Sequence, residues 1–303
     1  FAIEKMHFDE KSRSFFVIYI EKLPHLLYNQ RGKKGVNVMV ELYLRRKIDR
    51  FLQLWKEDAD RKPLIVKGPH QVGKTESLLR FAKANYQSVI YINFVEEPKY
   101  KMILEDGYSA EDIIKNISRI DPSKRFETGN TVLFFDEIQV FSQIATSLKF
   151  FKIDGRFDVI CSGSLLGINY RQIESNSVGY KTDYTMSSLD FEEFLWAKGY
   201  GEDTVQDMLR HMESFQPFNQ LEMNIYSGLF LDYCILGGMP AVVRQYIEKG
   251  TFEGSLEIQR QLLEDYKEDI RKYADGVDQT RIINVFEQIP NQLAKDNKKF
   301  QIS

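Results

Sequence analysis

Residues Gly68-Pro69-His70-Gln71-Val72-Gly73-Lys74-Thr75 place two glycines, a lysine and a hydroxyl at the spacing G-x-x-x-x-G-K-[ST]. The chemistry that suits this spacing is the cradling of a phosphate chain. Gly68 lets the backbone turn tightly out of a strand, and Gly73 lets it approach phosphates without a clashing Cβ. The loop N–H groups and the start of the next helix then face the anion. Lys74 is a compact charge that can reach the β- and γ-phosphates, and the Thr75 hydroxyl can ligate Mg²⁺. Pro69, His70, Gln71 and Val72 complete the loop, with backbone contacts expected of His70 and Gln71.

Two further stretches supply what holding a nucleotide does not require. Phe134-Phe135-Asp136-Glu137 is an apolar run that ends in two acids. Asp136 is expected to hold Mg²⁺, usually through water, at the C-terminal end of a strand, where sites of open parallel sheets form. Glu137, one residue on, is placed to orient or deprotonate a water that attacks the γ-phosphate. In Val159-Ile160-Cys161-Ser162-Gly163-Ser164, a polar residue at the tip of the next strand can read the γ-phosphate or that water; Ser162 is the first choice and Ser164 the second.

These residues need strands that end where helices begin. Apolar positions at helical spacing run from Glu41 to Asp58. Leu64-Ile65-Val66 is a short apolar run between Pro63 and Gly68 that suits a buried strand. A helix is expected over 74–86 and strands over Ser88–Phe94, Thr131–Phe135, Phe157–Cys161 and Tyr180–Met186. Ser109 with Asp112, and Asp190 with Glu193, have the spacing of capping boxes. The runs TVLFF and FDVIC are continuously apolar rather than alternating, as strands buried on both faces are. Strand–helix alternation up to about residue 198 therefore predicts an α/β fold with a parallel sheet covered on both sides. From Glu202 to Lys272 the pattern is helical, interrupted by Gly237-Gly238-Met239-Pro240.

Composition narrows the class. A chain of 303 residues, 43% hydrophobic and 28% charged, can bury a sizeable core. Its net charge of −3 gives no basic field from which nucleic-acid binding could be argued. Cys161 and Cys234 both lie in apolar runs and read as buried, reduced thiols, and the four histidines lack metal-ligand spacing. The apolar run Phe15–Ile20 is too short to span a bilayer, which predicts a cytoplasmic protein without a membrane partner. Residues 1–38 carry no clear periodicity. Lys33-Lys34-Gly35-Val36 is what an A-rich stretch followed by GGAG encodes in frame, so this segment reads either as an N-terminal extension or as translated upstream sequence before a start at Met39 or Val40.

The combination of GPHQVGKT, INFVEEP (92–98), TVLFFDEIQ (131–139), CSGSLLG (161–167), SLDFEEFLWAKG (188–199), GGMP (237–240) and IPNQLAKDNKKF (289–300) resembles prokaryotic AAA-type P-loop ATPases that carry a nuclease-like C-terminal domain of unknown function. The resemblance implies a five-stranded parallel sheet of order 5-1-4-3-2 with helices on both faces. The implied division is an ATPase core over 39–200, a helical lid over 201–275 and the start of a truncated C-terminal domain over 276–303. It also implies Walker A at 68–75, Walker B at 132–137, a sensor-like residue at Ser162, adenine as the base, a homo-oligomer, and a DNA or protein partner acting through the C-terminal domain. Two departures stand out: His70 where the family often has Arg, and Gly179-Tyr180 where it often has Gly followed by a cation. Arg171, Lys181 and Arg244 are the candidates to supply that cation.

The leading expectation is an ATPase that uses hydrolysis as a conformational switch. The alternatives are a nucleotide-gated binding module with negligible turnover, which Tyr180 favours, and a P-loop kinase, which the Asp136-Glu137 pair disfavours.

Overall fold

The computed structural model describes residues 42–164, 177, 179–273 and 276–293. Residues 1–38, Arg171 and the segment 294–303, about which the sequence raises expectations, lie outside them. The chain divides into Phe1–Tyr43, of which only residues 42 and 43 are described, and Leu44–Ser303. All the helices and strands that follow belong to the second unit.

Helix α1 (Lys47–Glu57) begins later than the apolar pattern implies. Arg46 is extended and its N–H donates to Asp49 Oδ2 at 2.9 Å, which sets the helix start. There follow β1 (Leu64–Lys67), α2 (Lys74–Asn85), β2 (Ser88–Asn93), a 3₁₀ turn over Pro98–Leu104, α3 (Ala110–Ile120), β3 (Thr131–Asp136), α4 (Ile144–Asp154), β4 (Asp158–Gly163), β5 (Thr182–Thr185) and α5 (Phe191–Ala197). The Asp190–Glu193 capping box is complete, each side chain capping the other's backbone, whereas Ser109 makes only half of the expected box: its Oγ accepts from the Asp112 N–H, and the Asp112 carboxylate takes the Ser109 hydroxyl rather than its backbone N–H.

The five strands are parallel and run β2-β3-β4-β1-β5, the expected order read from the other edge. Both faces are covered. Ile65, Leu133, Phe135, Val159 and Cys161 point to one side, against Ile113 and Ile117 of α3 and Leu148 and Phe151 of α4. Leu64, Val66, Val132, Phe134 and Ile160 point to the other, against Ile48 and Leu52 of α1 and Leu78 and Phe81 of α2. This two-sided burial is why the strands are continuously apolar. Each such side chain contributes roughly 1.5–3 kcal/mol on burial. The 3₁₀ turn escapes sequence reading because seven residues are too few to show a period, yet it sets Tyr100 and Ile103 fully inside the core.

The C-terminal part is helical: α6 (Glu202–Ser214), α7 (Gln220–Leu236), α8 (Pro240–Lys249), α9 (Ser255–Tyr273) and α10 (Gly276–Leu293). Among the described residues no helix is long and apolar enough to cross a membrane. Both cysteines are free. Cys161 is buried, and burial pushes its thiol pKa up. Cys234, expected to be buried, is exposed, because α7 buries only Leu229 and Leu236 of its apolar residues.

Candidate functional site

The sheet's register brings the chemistry-bearing residues to one end. Asn93 pairs with Asp136, Phe135 with Cys161, and Val66 with Ser162, so β1, β3 and β4 finish side by side. The loop 68–73 leaves β1 there and runs into α2. Gly68 is required for a reason the sequence does not reveal. A Cβ at this position would lie 2.1 Å from the Met186 carbonyl oxygen, just beyond β5. Gly73 has φ +91°, a conformation that L side chains rarely adopt, and it caps α2.

Lys74 is buried and its ammonium donates to the carbonyls of Gly68 at 3.0 Å and Pro69 at 2.7 Å, arching over the loop. Burial lowers its pKa, while the nearby Glu137 and Asp136 pull it back up. From below, the buried Arg46 clamps the loop. Its guanidinium donates to Val72 O at 2.7 Å and Ser187 O at 2.6 Å and pairs with the buried Glu193 at 3.2 Å. Nothing in the sequence pattern singles Arg46 out, because it lies just before α1 and far along the chain from its partners.

Asp136 is the hub. Its Oδ2 accepts from Thr75 Oγ1 at 2.8 Å and from the Tyr91 hydroxyl at 3.1 Å. Its Oδ1 accepts from Ser162 Oγ and from the N–H of Glu137 at 2.9 Å. Thr75, Asp136 and Ser162, three residues singled out from the sequence, thus meet at one carboxylate. Tyr91, from the neighbouring strand, is the fourth and was not anticipated; its burial and the charge on Asp136 both raise its pKa. Thr75 and Asp136 together offer hard oxygen donors, the kind Mg²⁺ takes, so the residues present fit that ion.

Glu137 breaks the strand direction with φ 57°, left-handed for a non-glycine residue, and opens a short 3₁₀ turn over Ile138–Val140. Gln139, two residues on, donates to Glu137 Oε2 and accepts the Ser164 N–H at 3.2 Å.

His70 and Gln71 do more than lend backbone. Gln71 Nε2 donates to Asp265 Oδ2 at 2.8 Å, His70 Nε2 lies 3.7 Å from Asp269 Oδ2, and the His70 carbonyl accepts from the Tyr266 hydroxyl at 2.9 Å. All three partners are on α9, so the outer side of the loop rests on the C-terminal helices. The run GGMP also has its partner: Leu189 N–H donates to Gly238 O at 2.7 Å, and a Cβ at Gly238 would lie 2.0 Å from Leu189 O. That interlock delivers Pro240 beside Gly73 and starts α8.

Of the candidate cations, Arg244 on α8 reaches the site's edge, where it forks onto Glu76 in the first turn of α2 at 2.9 and 3.1 Å. Lys181 does not. It precedes Thr182, which pairs with Leu64 at the start of β1, so it sits at the opposite end of the sheet, bonded to Asp183. Tyr180 is beside it, with Lys149 over its ring.

A family model described as an AAA domain matches residues 60–195, the segment that holds the loop, Asp136, Glu137 and Ser162. The chain carries an AAA domain. A second model, described as a domain of unknown function (DUF8612), matches residues 227–303, from within α7 onward. No curated protein matches the chain. Among solved structures, domain III of the replication initiation protein DnaA from Thermotoga maritima is similar at 15% identity and a TM-score of 0.40, over 77% of this chain and 90% of that one. The ORC2 protein of Aeropyrum pernix in its ADP form is similar at 14% identity and a TM-score of 0.34, over 53% of each chain. The RuvB Holliday junction branch migration motor of Thermotoga maritima follows at 18% identity and a TM-score of 0.31, over 48% of this chain and 46% of that one. The chain spans about half the length of the first solved structures it matches.

Within the AAA domain, the P-loop, the acid pair and the strand-tip serine are in place together. Their hydroxyl, carboxylate and ammonium groups suit a nucleoside triphosphate with its metal.

Proposed function

We propose that this chain binds ATP with Mg²⁺ and hydrolyses it, using the cycle as a conformational switch. The observation that carries the reading is the convergence of Thr75, Ser162 and Tyr91 on Asp136, with Glu137 adjacent. The residues of the loop, 68–75, bind the triphosphate. Lys74 exchanges its carbonyl partners for phosphate oxygens, and Thr75 and Asp136 hold the metal, which when bound offsets charge on the phosphates. Glu137 takes a proton from water as its oxygen bonds to the γ-phosphorus. The bond from that phosphorus to the bridging oxygen breaks, and ADP and phosphate leave. Ser162 senses the γ-phosphate through its bond to Asp136.

In this reading residues 39–200 are the ATPase core, 201–275 a helical lid and 276–303 part of a C-terminal domain through which DNA or a protein partner acts. A homo-oligomer is part of the same proposal, as is work in the cytoplasm.

The test is a pair of substitutions. Lys74→Ala abolishes nucleotide binding, measured with a fluorescent ATP analogue. Glu137→Gln binds ATP at wild-type affinity and does not turn it over in a single-turnover assay. Turnover by Glu137→Gln at the wild-type rate overturns the catalytic assignment. A second reading, a nucleotide-gated module with negligible turnover, is favoured by one observation: both described candidate cations, Lys181 and Arg244, are engaged by carboxylates. A wild-type protein that binds ATP without hydrolysing it, with or without DNA, decides for that reading.

A further inference from the structure

We propose that Gln139 is a positioning residue for the catalytic acid, tying Glu137 to the tip of β4; the inference rests on the hydrolase reading. The Gln139 side-chain amide bridges two groups of opposite character. Glu137 offers only acceptors and receives the Nε2 donor, whereas the Ser164 N–H offers only a donor and meets Oε1 at 3.2 Å. The amide therefore has one orientation that satisfies both neighbours, and flipping it loses both bonds.

Gly163 supplies an independent observation. It does not have a positive φ, so backbone conformation does not call for glycine there. A Cβ at Gly163 would fall 2.8 Å from Gln139 Oε1 and 3.1 Å from Ile138 Cγ1. The glycine is explained by the space that the Gln139 amide occupies against β4. Ile138 is buried in the core beneath the turn, and the Gly163 carbonyl accepts the Gly68 N–H at 3.3 Å. The strand tip that holds Gln139 is thus joined directly to the phosphate loop and carries Ser162, which bonds Asp136.

Glu137 needs such a tether. Its left-handed backbone swings it off the strand, and a glutamate side chain has several rotatable bonds to fix before it can meet a water at one position. Misplacing a catalytic group by about 1 Å can cost on the order of 10²-fold in rate. Gln139 holds the carboxylate at a set distance from the Ser162 end of β4 whichever rotamer Glu137 would otherwise choose.

Three variants test this in the full chain with ATP and Mg²⁺. Gln139→Leu removes both bonds. Gln139→Glu keeps an acceptor for Ser164 and sets a carboxylate against Glu137. Gly163→Ala displaces the amide. The expected result is a fall in kcat of about tenfold or more in each, with nucleotide Kd within about twofold of wild type, the same order of change as experimental scatter. The Ser164 amide exchanges faster in Gln139→Leu and stays protected in Gln139→Glu, which separates loss of the strand contact from loss of the tether. The double variant Gln139→Leu/Gly163→Ala is no slower than Gln139→Leu alone. An active wild type whose Gln139→Glu variant keeps its kcat, or loses Kd in step with kcat, overturns this inference and leaves the hydrolase reading standing. A wild type that binds ATP and does not hydrolyse it overturns both.

Discussion

Two aspartates at opposite ends of the sheet are both tied into networks, and they are satisfied in opposite ways. Asp158, the first residue of β4, accepts from Arg61 at 2.7 Å, Lys56 at 3.1 Å and the Tyr86 hydroxyl at 2.7 Å. Asp136, the last of β3, accepts from three hydroxyls and one backbone N–H and forms no direct ion pair among the described residues. At the first end, fixed positive charges neutralise the acid, and Lys56 also stacks on the Tyr86 ring at 3.7 Å. At the second, the charge is left over and its partners are hydroxyls that can change acceptors at little cost. The difference separates an acid that staples the fold from one that, in the proposed reading, is kept available for a cation.

The comparison breaks most visibly if the two acids are neutralised in turn. Asp136→Asn is expected to lower kcat roughly a thousandfold, the value of about 4 kcal/mol of lost metal-assisted charge stabilisation. Its Tm falls by only a few degrees, since the amide oxygen still accepts on one side and the hydroxyls on the other can rotate to accept from the NH₂. Steady-state ATPase kinetics beside a thermal melt measure both. A modest loss of rate would place the metal elsewhere.

Asp158→Asn is the mirror image. It leaves Arg61 and Lys56 partly unneutralised at a site that is 14% exposed, for a stability loss of about 2 kcal/mol and a fall in Tm on the order of 5 °C. Rate per folded molecule stays at the wild-type value. A slower enzyme with an unchanged melt would show that the two ends are not independent.

The same acid predicts the pH dependence of stability. Burial raises the Asp158 pKa, but the bonds from Arg61, Tyr86 and Lys56 outweigh burial and hold it below the usual carboxylate range. The unfolded chain titrates near the ordinary value of about 3.9. The folded value is the lower of the two, so the contribution is complete above the unfolded pKa. It is lost as pH falls through the folded one. Denaturant melts of wild type and Asp158→Asn should therefore converge as the medium is acidified and stay apart at neutral pH. A constant gap at all pH values would remove Asp158 from the account.

How far the sequence reaches follows the same division. Lys74, Thr75, Asp136 and Ser162 were legible because phosphate and metal chemistry dictates residue types at short, fixed spacing after strands, and the strands themselves announce burial on two faces. The sheet order needed a resemblance, since no local pattern says which strand sits beside which. Arg46 and Tyr91 act through partners 26 to 147 and 45 residues away, and Gln139 joins Glu137, two residues back, to Ser164, 25 residues on, so no short window of sequence contains the whole reason for them. Gly68 and Gly163 are fixed by neighbours across space rather than by their own φ. Cys234 misled because an apolar run in α7 is exposed, and hydropathy alone cannot say which helices find a cover.

The smallest expected effect asks whether the exchangeable character of the Asp136 end extends to the outside of the loop. Tyr266 on α9 donates its hydroxyl to the His70 carbonyl at 2.9 Å, the one contact by which α9 grips the loop backbone among the hydrogen bonds described. Tyr266→Phe keeps the ring and loses the bond, a net contribution of about 1 kcal/mol. If α9 pre-sets the loop for phosphate, that loss falls on binding, and nucleotide Kd rises about fivefold while kcat holds. Isothermal titration with a non-hydrolysable ATP analogue, beside single-turnover rates, reads the two quantities separately. Should Kd stay put while Tm drops instead, α9 is packing on a loop already shaped by Arg46 and Gly73. The preparation of the site would then lie wholly within the AAA domain and its entry helix.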